Sequence, residues 1–325
     1  MYHDLTLRDG SHAISHKLSE QMIIDHCIFA EEAGIEVIEI GHGNGLGASS
    51  ILIGESLLTD YEMISIAKKY LKNTKLSVHI IPGIATINHD ILKAIELGVD
   101  IFRVASHCTE ASLTKTHIEY LSKNGKTVYG ALMMSALCSL DILYSEAEKM
   151  KSYGASAVII MDSSGSFTPT DVSKMIKYLK ELNIKIGFHA HNNLQLAVAN
   201  SLSAIESGAD IIDVTVKGFG AGAGNTPLEV MLFLHESKNI DKTKVLEYCD
   251  KFDITTPVCK PINILTSKYK LMSGFEKHII VAAKKYNISY IKLIEEISKQ
   301  KIISGQEDFI YIIAKQLLTA SSVVR

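Results

Sequence analysis

The chain has 325 residues, of which 47% are hydrophobic and 21% charged, and its formal net charge is -3. That balance suits a globular protein with one large domain and a smaller appendage. It offers no electrostatic match to nucleic acid or an anionic membrane, and no apolar run reaches bilayer-spanning length. The opening Met1-Tyr2-His3-Asp4-Leu5 lacks a charged stretch followed by an apolar one, so a cytoplasmic protein is expected. Five cysteines, none in a C-x-x-C pair, suit reduced thiols. Cys108, beside His107, reads as a packing residue rather than a nucleophile.

In chain order, strands are expected at Leu5–Leu7, Glu36–Ile40, Leu76–Ile81, Ile101–Val104, Thr127–Leu132, Ala157–Met161, Lys185–Phe188 and Ile211–Val214. Between them, Ser19–Ala33, Tyr61–Leu71, His89–Leu97, Thr114–Lys123, Ser145–Tyr153, Pro169–Leu182 and Leu194–Ser207 carry apolar residues at helical spacing. Glycines such as Gly34 and Gly208 close several of these helices. Eight strands, each followed by a helix, predict a TIM (β/α)8 barrel over residues 1–240. Pro257 and Pro261 bracket a connector, and from Ser273 onward the pattern is helical, giving a helical C-terminal extension over 241–325.

A TIM barrel builds its active site at the C-terminal ends of its strands. The polar residues near those ends are Arg8, Asp9, His12, Glu39, His42, His79, Arg103, Ser135, Asp162, Ser163, His189, His191, Asp213 and Lys217. The sharpest local signal is His189-Ala190-His191, because residues i and i+2 of an extended segment face the same side. With Asp9 from the first strand end, two histidines and one carboxylate form a metal-binding face with open positions. Mixed N/O ligation suits Mn²⁺, Mg²⁺ or Co²⁺ better than structural zinc. His12, three residues past Asp9, is placed to act as a general base. His16 also pairs with His12 at helical spacing, but Ser11–Ser15 reads as a loop and His16 as solvated. The glycine-rich loops at 41–47 and 218–225 could cradle a phosphate. The preferred reading is that they let the backbone pass close to metal and substrate.

Thr6-Leu7-Arg8-Asp9-Gly10, the His-x-His and Gly220-Ala221-Gly222-Ala223-Gly224-Asn225 together resemble the DRE-TIM metallolyase superfamily. Gly10-Ser11-His12-Ala13-Ile14 resembles its 4-hydroxy-2-oxovalerate aldolase family rather than its synthases. So do Arg103–Glu110, Met133-Met134-Ser135, His189–Leu194, Lys284–Asn287 and Gly305–Asp308. The resemblance implies a pyruvate aldolase that splits 4-hydroxy-2-oxopentanoate, or a related 4-hydroxy-2-oxo acid, into pyruvate and acetaldehyde or another aldehyde. It implies Asp9, His189 and His191 as ligands to Mn²⁺ or a similar ion and His12 as base. Arg8 would stabilise the enolate, Tyr286 would reach in from the extension, and Ser163 would contact the substrate carboxylate. It also implies an oligomer with an acylating acetaldehyde dehydrogenase, held through the C-terminal extension. The alternatives are an acyl-CoA-dependent Claisen condensing enzyme, which Gly10-Ser11-His12 argues against, and a non-catalytic scaffold. The chain departs from the family at Ala136, at Asn44, and at Ser267–Gly274, where Gly-Tyr-Ala-Gly-Val-Tyr-Ser-Ser is common. These departures bear on the aldehyde pocket and the partner.

Overall fold

Eight short parallel strands pair in chain order, and the eighth closes on the first. They are β1 Tyr2–Asp4, β2 Val37–Glu39, β3 Lys75–Ile80, β4 Ile101–His107, β5 Thr127–Met133, β6 Ala157–Asp162, β7 Lys185–Ala190 and β8 Ile211–Val214. This computed structural model describes residues 1–300 and 302–323, without the side chains of 320–323. The expected (β/α)8 barrel is present. Its outer layer is α1 Glu20–Ala33, α2 Asp60–Tyr70, α3 Leu92–Glu96, α4 Lys115–Lys123, α5 Leu140–Ser152, α6 Pro169–Lys180, α7 Ala197–Glu206 and α8 Leu228–Leu234.

Local chemistry explains the boundaries. Ser19, Thr59, Ser139 and Thr168 cap α1, α2, α5 and α6, each side chain accepting from a backbone N–H in the first turn. Glu62 and Asp171 complete capping boxes at α2 and α6. Gly34 ends α1 in the left-handed region, at φ 76°, as its sequence position predicts. Between β3 and β4 the expected single helix is instead a π-helical turn, Ile87–Ile91, running into the short α3.

The first strand lies earlier than Leu5–Leu7. Asp4 Oδ1 accepts the Thr6 N–H at 2.8 Å, and the N–H groups of Arg8 and Asp9 both turn back to the Leu5 carbonyl, at 3.0 and 2.9 Å. That turn ends the pairing and lifts Arg8 and Asp9 onto the rim. Leu5 and Leu7 are still buried, which explains their strand-like pattern.

After the barrel come α9 Lys242–Lys251, α10 Pro261–Lys268, α11 Glu276–Lys285, α12 Tyr290–Ile297 and α13 Asp308–Val323. The barrel's apolar cluster continues through Val245 and Phe252, and Tyr248 of α9 stacks on Phe29 of α1 at 4.0 Å. A second cluster runs from Ile262 to Ala314. Pro261 opens α10 at a position where its missing N–H costs nothing, so the helical extension starts before Ser273. Among the described residues no helix is long and apolar enough to cross a membrane.

Candidate active site

Asp9, His189 and His191 converge on the barrel rim, all buried, with one ligand atom of each within 4.8 Å of the others. β7 carries His189 and His191 follows its last residue, Ala190, in the same two-residue period, so their Nε2 atoms face each other at 3.3 Å. Asp213 Oδ2 lies 3.0 Å from His189 Nδ1. An ionised carboxylate only accepts, so Nδ1 carries the proton and the Nε2 lone pair faces inward. Burial pushes the His191 imidazole down to about 3, which keeps it neutral. Burial opposes ionisation of Asp9, yet the Arg8 guanidinium beside it outweighs that and holds the carboxyl well below its usual range. Asn225 Nδ2 donates to Asp9 Oδ2 at 2.6 Å, and Arg8 Nη1 to Oδ1 at 2.8 Å. One ionised carboxylate and two converging imidazoles fit a divalent cation.

Arg8 is pinned. Its Nε donates to Glu39 Oε1 at 2.8 Å, while Nη2 is buried and has no hydrogen-bond partner among the described residues. His12 lines the same cavity, and burial lowers its pKa, with Asp9 partly offsetting that. Its ring lies so close to the 41–47 loop that a Cβ on Gly43 would fall 2.3 Å from His12 Nε2. A Cβ on Gly220 would fall 2.7 Å from the Asn225 side chain. At these two positions the glycines let the backbone approach the His12 and Asn225 side chains.

Three spaces meet here. A cavity of about 20 Å³ touches Arg8, Asp9, His12, Ser163 and His191. An apolar chamber of about 50 Å³ lies against Ile81, Ala105, Leu113, Met133 and Met134. A cleft of about 650 Å³ opens between the rim and the C-terminal helices. Met272 borders all three. Ser163 Oγ accepts the Met134 N–H at 3.0 Å, and its carbonyl accepts the Ser273 N–H at 2.8 Å, tying the extension to β6.

Several expectations need correction. His16 is only 7% exposed rather than solvated. It stacks on His42 at 3.6 Å, and Gly43 N–H donates to its Nδ1 at 3.3 Å. Arg103 and Asp213 do not reach the rim but pair inside the barrel. Lys217 turns away and donates to the Phe252 carbonyl at 3.2 Å. Asp162 accepts from the Ser166 and Phe167 N–H groups and so holds its own loop. Tyr286 lies outside all three spaces. It ends α11, packs on the second apolar cluster, and carries Lys285 Nζ 5.5 Å over its ring. Only the first half of α11, through Val281, faces the cleft. Cys108 is buried and donates to the Met134 carbonyl at 3.3 Å, and burial raises its thiol pKa, as suits packing.

Asn225 and Met272 were given no role in the sequence reading. Asn225 stood at the end of the glycine motif, which was a usable signal. Met272 stood in the departing segment 267–274. The departures also gather in space: Lys270 Nζ donates to the Ala136 carbonyl at 2.7 Å, and Asn44 lines both the small cavity and the cleft.

Comparison with known proteins agrees with this geometry. The HMGL-like family matches residues 1–251, and the DmpG-like communication domain matches residues 265–319. A 4-hydroxy-2-oxovalerate aldolase of Pectobacterium atrosepticum is 45% identical over 97% of this chain and 94% of its own length. One from Spirochaeta aurantia is 44% identical over 97% of this chain and 95% of its own. Among solved structures, the carboxyl transferase domain of Rhizobium etli pyruvate carboxylase, with pyruvate and biocytin, superposes with a TM-score of 0.82 at 14% identity. It covers 99% of this chain and 60% of that one, a likeness of fold.

Proposed function

The chain belongs to the 4-hydroxy-2-oxovalerate aldolases of the HMGL-like family, and from that premise we propose a metal-dependent retro-aldol reaction. The substrate is 4-hydroxy-2-oxopentanoate or a related 4-hydroxy-2-oxo acid, and the products are pyruvate and acetaldehyde or another aldehyde. The observation that carries the reading is the single cavity shared by Arg8, Asp9, His12 and His191.

Asp9, His189 and His191 would hold the cation, Mn²⁺ with Co²⁺ or Mg²⁺ as substitutes. When bound it supplies Lewis acidity toward the 2-oxo group and carboxylate. His12, kept neutral by its surroundings, takes the proton of the C4 hydroxyl. The C4–O electrons form the aldehyde carbonyl, the C3–C4 bond breaks, and its electron pair becomes the enolate of pyruvate. The Nη2 of Arg8, which has no hydrogen-bond partner among the described residues, meets the charge that develops on the enolate oxygen. Reprotonation at C3 completes pyruvate. Ser163, on the cavity wall, is placed to meet the substrate carboxylate. The apolar chamber suits the alkyl end of the aldehyde.

The helical extension, expected over 241–325, completes the cavity through Met272 and Gly274. By its likeness to the DmpG-like communication domain, we propose that it contacts an acylating acetaldehyde dehydrogenase within an oligomer, in the cytoplasm. The decisive experiment is pyruvate release from 4-hydroxy-2-oxopentanoate by metal-stripped protein with and without added Mn²⁺. Release that depends on Mn²⁺ supports the reading. Failure with every 4-hydroxy-2-oxo acid tried, together with thiol release from acetyl-CoA, would turn it toward a Claisen condensing enzyme.

A further inference from the structure

Below the rim, the barrel interior holds His3, Glu39, Arg103 and Asp213, none more than 2% exposed. Buried charge persists only where it is paired and hydrogen-bonded. Here the pairs run in series. Arg103 Nη2 donates to Asp213 Oδ1 at 2.8 Å, its Nη1 donates to Oδ2, and its Nε forms an ion pair with Glu39 Oε2 at 3.1 Å. His189 Nδ1–H donates to Asp213 Oδ2 at 3.0 Å. Arg8 Nε donates to Glu39 Oε1 at 2.8 Å, and Arg8 Nη1 donates to Asp9 Oδ1 at 2.8 Å. The line Asp9–Arg8–Glu39–Arg103–Asp213–His189 therefore starts and ends on proposed ligands, with Arg103 joining its two branches.

We infer that Arg103 is a positioning residue for the metal-binding face: through Asp213 it orients His189, and through Glu39 it fixes Arg8 against Asp9. The inference rests on the metal-dependent reading above. Arg103 lines none of the three spaces and touches no reacting atom, so it acts only through its partners. Geometry gives it that reach. A planar guanidinium spans two carboxylates on opposite edges at once, which a single ammonium on a flexible stem cannot do with fixed orientation. The chain positions joined this way are far apart, with Asp213 lying 110 positions after Arg103, so no local turn substitutes for the link.

The test uses the full chain, metal-stripped, with Mn²⁺ itself as the probe. Its free-ion electron paramagnetic resonance signal disappears on binding and reports affinity without turnover. Arg103→Lys is expected to weaken Mn²⁺ binding about 10–100-fold, the usual cost of losing a partner behind a metal ligand. Its kcat at saturating Mn²⁺ should fall as well, because Arg8 is loosened. Asp213→Asn should weaken Mn²⁺ binding more than it lowers kcat at saturating metal. Glu39→Gln should lower kcat at saturating metal more than it weakens Mn²⁺ binding. A purely packing role for Arg103 predicts a lower Tm with neither split. The inference is overturned if wild type binds Mn²⁺ and Arg103→Lys binds it within twofold of wild type. Should Arg103→Lys not fold, the opposite splits of Asp213→Asn and Glu39→Gln decide the matter, since identical behaviour of the two overturns it. Wild type with no Mn²⁺ affinity would overturn the metal-dependent reading itself, and this inference with it.

Discussion

On one side of the small cavity, Asp9 and Arg8, each fixed by a named partner, stand with His191 among buried charges; on the other, Met272, Met133 and Ile81 present carbon and sulfur. The charged side comes from the rim turn after β1 and from the end of β7, inside a closed sheet. The apolar side comes from β3 and β5 and from the extension, which reaches over the rim and is tied to it by the Ser273–Ser163 hydrogen bond. Groups that handle developing charge gain from fixed dipoles and exclusion of water. A wall that only holds an alkyl group needs shape, and a methionine supplies shape that adapts. Reaction type and aldehyde choice should therefore break separately.

The largest effect should come from the charged side. Asp9→Asn removes the negative charge of the ligand set and His191→Ala a ligand nitrogen, so Mn²⁺ binding and pyruvate release should disappear together while the fold is retained. Equilibrium dialysis against Mn²⁺, run beside the pyruvate assay, checks both. A variant that keeps activity without binding metal would break the assignment of the face.

His12→Ala should keep the metal and lose about 10²–10⁴ in kcat, the range for a general acid–base group. The pH profile sharpens this. Burial lowers the His12 pKa, so the imidazole stays neutral below its ordinary value of 6.5. The acid limb of kcat/KM should therefore lie below pH 6.5 in the wild type and vanish in His12→Ala. A limb at or above that value, or one that survives the substitution, would assign the base elsewhere.

The comparison also separates what the sequence could show from what it could not. The His-x-His spacing, Arg8-Asp9 and His12 lie within a few residues of one another or on one strand, so local period was enough to place them. The strand–helix alternation likewise exposed the barrel. The β1 boundary failed because Leu5 and Leu7 are buried by a turn rather than a strand. His16 failed because its cover, His42 and Gly43, comes from the next strand end. Arg103 and Asp213 looked like rim residues because inward-facing positions inside the barrel and at its rim share the same two-residue period. Only their pairing across the closed sheet distinguishes them. The role of Met272 depends on how the extension folds back, which no periodicity encodes.

On the apolar side a smaller and different effect is expected. Met272→Ala joins the small cavity to the apolar chamber and the cleft. It should shift kcat/KM toward 4-hydroxy-2-oxo acids with longer alkyl ends. The expected change is about tenfold relative to the five-carbon substrate, within the 1–3 kcal/mol scale of a methylene in an apolar pocket. Mn²⁺ affinity should not move. Steady-state kinetics over a series of chain lengths gives the ratio. An unchanged ratio would show that Met272 does not bound the aldehyde site.

The smallest effect should come from Tyr286→Phe. Resemblance to the family suggested that this hydroxyl reaches the reacting centre and biases stereochemistry. Its position at the end of α11 argues otherwise. Gly274, just before that helix, borders the small cavity, and at 1.5 Å per residue the helix carries Tyr286 roughly 15 Å further along its axis. The ring packs on the second apolar cluster under Lys285, where loss of the hydroxyl removes no contact to the cavity. Both kcat and the preference between the two C4 enantiomers should stay within twofold of wild type, as chiral analysis of residual substrate would show. A clear loss of enantiomer preference would mean that α11 swings toward the rim when substrate binds, and that the apolar side of the cavity gains a polar group during turnover.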